Sequence, residues 1–70
     1  MRIEYEQQHD VLNIEFLADV AIVDSVELDG IIVDYDKDKR VVAIEILDAG
    51  KRMTKDPLEL IDVAIVRDKV

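Results

Sequence analysis

Cysteine is absent from this chain, tryptophan is absent too, and one Phe and two Tyr are its whole aromatic supply. Without cysteine no disulfide framework can staple the fold. Without large aromatic fillers a core drawn from 70 residues is marginal, since a domain of about 60 residues buries only about 60% of its unfolded surface. Small domains of this kind gain stability from metals, disulfides or oligomerisation. With disulfides excluded, a homo-oligomer is the expected solution. Glycine is scarce as well: Gly30 and Gly50 are the only two and lie far apart, so there is no glycine-rich phosphate loop. No uninterrupted apolar run exceeds four residues, as at 20–23 and 63–66, whereas a bilayer span needs about 20. No basic segment leads into an apolar one at the start, so no secretory signal is expected. These absences point to a cytoplasmic protein. Basic charge is the last deficit. Nine Lys and Arg stand against 17 Asp and Glu, a net charge of -8. That sign opposes nucleic acid and anionic membrane surfaces as partners.

What is present is apolar and patterned. Half of the residues are hydrophobic and 37% are charged, which excludes a disordered acidic tail. Abundant charge with only two Gln and one Asn leans towards the composition of a thermophile. Apolar and polar residues mostly alternate, the period of a half-buried strand. Ile3 and Tyr5 alternate with Arg2, Glu4 and Glu6; Leu12, Ile14 and Phe16 alternate with Asn13 and Glu15. Val26 and Leu28 flank Glu27, Ile31, Val33 and Tyr35 share one side, and Val42, Ile44 and Ile46 share another. Polar turns separate these runs at residues 7–10 and 36–39, and Asp29-Gly30 is a hairpin signal. The pattern predicts a β-rich (α+β) fold, a small antiparallel meander of about five strands over residues 1–50.

Residues 51–70 read as a C-terminal extension of the same single domain. Asp56-Pro57-Leu58-Glu59 has the residues of a helix start, with an Asp cap, Pro at the first helical position and Glu completing a capping box. Val63-Ala64-Ile65-Val66 favours a strand instead. The expectation is a short helical turn leading into a last strand. Asp19-Val20-Ala21-Ile22-Val23 recurs as Asp62-Val63-Ala64-Ile65-Val66, but the flanks do not match and no duplication follows.

Ordered short matches carry a family resemblance. They are Met1-Arg2-Ile3-Glu4-Tyr5, Asp10-Val11-Leu12 with Ile14, Ser25-Val26-Glu27, Gly30-Ile31-Ile32-Val33-Asp34-Tyr35-Asp36, Val41-Val42, and Ile44-Glu45-Ile46-Leu47-Asp48-Ala49. In this order and spacing the first 49 or so residues resemble domain of unknown function 2283, a family of small prokaryotic proteins. The resemblance implies a small β-rich fold and no assigned activity. Some relatives look like members of toxin–antitoxin gene pairs. Two positions depart from the family pattern: Lys39 stands where a turn Gly is usual, and Gly50 where Ser is usual.

Candidate chemistry is sparse. Asp34, Asp36, Asp38 and Glu45 fall at the first, third, fifth and twelfth positions of a calcium loop, but Lys39 replaces the Gly such a loop needs and both flanks read as strands. The preferred reading is a hairpin with solvated carboxylates. His9-Asp10 reads as turn decoration, because adjacent side chains in a turn point apart and a general base needs a partner and a pocket. Ser25 has no second His to activate it and Thr54 lies in a basic linker. Lys51, Arg52 and Lys55 more readily bridge the protein's own carboxylates than an external anion. No catalytic, cofactor-binding or metal-binding residue is therefore expected, and no cofactor.

The informative feature is the second side of the strands, where polar residues should stand at every other position if that side were wet. Val11, Ile32, Val41, Ala43 and Leu47 stand there instead. With Val63 and Ile65 of the tail they are the interface candidates of a homo-oligomeric structural or interaction module without catalysis. The alternative is an antitoxin-like protein whose acidic surface neutralises a basic protein partner encoded by an adjacent gene.

Overall fold

Strands form here where the alternation and the turn chemistry agree, and the computed structural model describes them over residues 1–53. They are β1 (Arg2–Glu6), β2 (Val11–Glu15), β3 (Asp24–Leu28), β4 (Ile31–Tyr35) and β5 (Val41–Ile46), followed by one helical turn, α1 (Ala49–Arg52). All five strands join one antiparallel sheet in the order β1-β2-β5-β4-β3. The small antiparallel β-rich fold expected from the pattern is the fold of the protein. β3, β4 and β5 run as consecutive hairpins, and the β1–β2 hairpin joins the free side of β5.

β5 is central because it is the most apolar strand. Val41, Val42, Ala43, Ile44 and Ile46 leave Glu45 as its only charge, and a central strand is covered by neighbours on both sides. β1 places charges at alternate positions and β3 carries Asp24 and Glu27, which suits edges, where exposed charge blocks unwanted pairing. Residues 16–23 must then carry the chain from β2 across the end of the sheet to the far edge. The Val42 carbonyl holds that crossing by accepting from Phe16 N at 2.7 Å and Leu17 N at 3.2 Å. Val23 N rejoins the sheet at the Tyr35 carbonyl, 2.9 Å away. Val42 is also the extra residue of a β-bulge, since Asp34 opposes Ala43 while Tyr35 opposes Val41.

The connections depend on left-handed backbone, and aspartate supplies most of it. Asp10, Asp19, Asp29 and Asp48 all have φ between 53° and 56°, a region Asp tolerates better than most residues. Asp29 and Gly30, with φ of 53° and 79°, make the two-residue turn between β3 and β4; two successive positive φ values are the type I′ signature. Lys39 is the outlier at φ 63°. A Gly is the relaxed choice there. Lys39→Gly is expected to stabilise the fold by about 0.5–1 kcal/mol, the scale of a relieved left-handed side chain less the entropy Gly adds to the unfolded chain. Urea unfolding at equal protein concentration checks this, and a lower midpoint would contradict it.

α1 closes one end of the sheet. Ala49 N donates to the Asp10 carbonyl at 2.9 Å and Gly50 N to Asp10 Oδ1 at 2.8 Å. The Tyr5 hydroxyl donates to the same Oδ1 at 2.6 Å, and the Arg52 guanidinium donates to the Asp29 carbonyl. The helical turn is thus tied to the β1–β2 and β3–β4 turns, and Ala49 is fully buried. Its sequence, Ala49-Gly50-Lys51-Arg52, read only as a break and a basic cluster, because one turn carries no periodicity. The helix start at Asp56 and the strand-like run at 63–66 lie outside the described residues.

Candidate interaction surface

Register sorts the strand residues onto two unlike faces. One face carries two cross-strand rows: Tyr5, Leu12, Ile46, Ile31 and Leu28 form one, and Ile3, Ile14, Ile44, Val33 and Val26 the other. Neither row contains a charge. The opposite face carries Arg2, Glu15, Ala43, Asp34 and Ser25 in one row and Glu4, Asn13, Glu45, Ile32 and Glu27 in the next. The strand charges therefore segregate almost entirely to one side. On the apolar side Leu12 is buried, but Ile3, Val26, Ile31 and above all Leu28, at 79% of its full accessibility, stand exposed. Among the described residues the sheet has no second layer on this side. Exposed large apolar residues clustered on one face mark an interaction surface.

Three of the expected interface residues lie off this face. Val11, Ile32 and Ala43 share the charged face, and Ala43 is buried there. Val41 pairs with Tyr35 at the bulge and is exposed, Leu47 is half-buried beyond the end of β5, and Val63 and Ile65 lie outside the described residues. Sequence reasoning passed over Val26, Leu28 and Ile31 because strict alternation reads as a core face. The missing signal was arithmetic: a core needs a second layer, and the strands with their connections already span residues 2–46.

The charged face holds one unusual group. Asp34 is only 3% exposed and accepts from the Ser25 hydroxyl at 2.6 Å. Glu45 lies diagonally beside it. The hydrogen bond shared with Asp34 raises the Glu45 pKa above the ordinary glutamate value, and burial and the Asp34 charge push the same way. Asn13, opposite Glu45 in register, has a buried Oδ1 without a hydrogen-bond partner. The folded state thus holds the Glu45 proton more tightly than the unfolded chain does. That contribution is complete below the ordinary glutamate value of about 4.3 and is lost as pH rises through the raised one. Glu45→Gln is expected to flatten this part of the pH profile and to raise the melting temperature at pH 7 by a few degrees. Thermal melts from pH 4 to pH 8 read both effects, and an unchanged slope would contradict the assignment.

The remaining candidates are engaged within the chain. Asp36 accepts at Oδ1 from Asp38 N at 2.8 Å and Arg40 N at 2.9 Å, and at Oδ2 from Arg40 Nε at 2.7 Å. Burial raises its pKa, but the donors of Arg40 and Asp38 more than offset this and hold it below the ordinary aspartate value. Asp34 faces Ser25 instead of this turn, so the calcium-loop carboxylates do not converge. Among the described residues no group of three or more His, Cys, Asp or Glu side chains is placed to hold a metal ion. His9 Nδ1 contacts Glu6 Oε1 while Asp10 takes Tyr5 and Gly50, so these neighbours do not act on each other. Those hydrogen bonds, the Tyr5 hydroxyl first, lower the Asp10 pKa. Lys51 lies 3.7 Å from Asp48, and Arg52 is committed to Asp29. No helix among the described residues is long and apolar enough to cross a membrane.

A family model described as a protein of unknown function (DUF2283) matches residues 2–49. No curated protein and no solved structure matches the chain.

Proposed function

We propose, from the premise that the chain belongs to this DUF2283 family of proteins of unknown function, that it works as a homo-oligomeric interaction module and not as an enzyme. The observation that carries the reading is the apolar face of the sheet with Ile3, Val26, Leu28 and Ile31 exposed on it. A second copy is the occupant that charge and shape favour. The net charge of -8 would hold two copies apart, but every strand charge except Asp24, at the start of β3, points away from this face, so two such faces can meet with few like charges in contact. Two sheets with the same twist also pack well, at about -30° and 10 Å apart. Burial at about 25 cal/mol per Å2 then outweighs the residual repulsion, which salt screens beyond about 8 Å.

The same charge argues against nucleic acid and anionic membrane surfaces as partners. Size-exclusion chromatography with light scattering tests the reading. A mass of at least twice 8.0 kDa at tens of micromolar is expected, and a mass of 8.0 kDa rejects it.

The acidic face favours a second reading. Glu4, Glu6 and Glu27 are exposed there with Glu15 half-buried, which suits a basic protein partner in the manner of an antitoxin. Co-expression with the product of an adjacent gene, followed by co-purification in low and high salt, tests it. Release by salt supports the acidic face as the contact, and failure to co-purify rejects that partner.

A further inference from the structure

A projection and a hollow lie on the apolar face at opposite ends of the same edge strand. Leu28 is the last residue of β3 and the most exposed large apolar side chain described. At the start of β3, Val23, Asp24, Val26 and Tyr35 line an open hollow of about 380 Å3, with Lys37, Lys39 and Asp36 also on its wall, the Asp36 carboxylate being already paired with Arg40. Asp24 opposes Tyr35 and Val26 opposes Val33, so the hollow opens on the same face as Leu28. Among the described residues neither lysine joins an ion pair, and neither does Asp29, which follows Leu28. Val26 lies midway between projection and hollow.

Resting on the oligomer reading above, we infer that two copies stack face to face about a two-fold axis running across the strands, along the row of Ile3, Ile14, Ile44, Val33 and Val26, so that Leu28 of each copy fills the hollow of the other. Rotation about that axis reverses strand direction and keeps strand order, so each strand lies over its own counterpart. A residue two positions beyond Val26 then faces the residue two positions before it. Leu28 therefore meets Asp24 and the hollow beside it. Asp29, one position further, arrives at Val23 and the turn that carries Lys37 and Lys39. Projection and hollow, carboxylate and ammonium, are brought together by the same rotation, and symmetry repeats each contact. An axis along the strands would instead lay β3 over β1 of the second copy and leave the hollow empty. An unrelated partner would have to reproduce both complementarities, whereas a second copy supplies them.

Dissociation constants from sedimentation at low salt test the arrangement. Lys37→Glu with Lys39→Glu is expected to weaken association about tenfold, and Asp29→Lys to do the same, since each juxtaposes like charges. Combining the three changes restores the opposite pairing and should return the constant to within about threefold of the parent. Leu28→Ala, at an exposed position that cannot unfold the monomer, is expected to weaken association at least tenfold. If Leu28→Ala is without effect, or the combined variant is weaker than both of its parts, the arrangement is overturned while self-association stands. If the unmodified protein stays monomeric, the oligomer reading and this arrangement fall together.

Discussion

Leu12→Ala lowers the melting temperature by about 15 °C, the largest stability effect expected of any single truncation in the sheet. Leu12 is 2% exposed, and the other buried apolar residues described are only Val42, Ala43 and Ala49. It stands between Tyr5 on β1 and Ile46 on β5, so the cavity opens where the two hairpins join. Leu→Ala in a packed site costs about 2–5 kcal/mol, and in a domain of this size each kcal/mol moves the midpoint by about 4–8 °C. Ile14→Ala on the same strand should cost less, because Ile14 is only half-buried. Circular dichroism melts check both, at one fixed protein concentration because oligomer stability depends on it. A loss under about 3 °C for Leu12→Ala would show that the hairpins are joined by something other than this contact.

Ile31→Lys is expected to prevent the self-association proposed above, while Ile32→Lys next to it is not. Ile31 shares the apolar face with Leu28 and Ile46, and Ile32 turns to the opposite face between Glu27 and Glu45. An unpaired ammonium in an apolar contact costs about 3 kcal/mol or more, at least a hundredfold in Kd. The same ammonium at position 32 meets two carboxylates. Ile31 is 39% exposed in the monomer, so its replacement should leave each subunit folded. Light scattering reads the mass of both variants. Dissociation by Ile32→Lys with retention by Ile31→Lys would move the interface to the charged face.

These two adjacent isoleucines also show where sequence reading reaches its limit. Both are apolar, and alternation says only that they point to opposite sides. It does not say which side is covered. Val41, Ala43 and Leu47 made the second face look like the unpaired one, yet Ala43 is buried there. The face that read as core carries Val26 and Leu28 into solvent. Asp34 and Glu45 were grouped in sequence only by calcium-loop spacing, whereas it is the pairing of β4 with β5 that sets these two side by side, without Asp36 and Asp38.

The sequence by itself determined the five strands, their turns and their antiparallel sense, since each follows from local alternation and from residues that accept left-handed backbone, with Asp29-Gly30 the clearest. It determined the family as well, through short matches in fixed order. Only the tertiary structure decided that β5 lies between β2 and β4, that one helical turn is pinned by Asp10 and Asp29, and that Lys39 pays in backbone strain for its place. Strand order, burial and the meeting of distant side chains depend on long-range pairing, and a chain read in sequence carries the alternation of each strand without the identity of its neighbours.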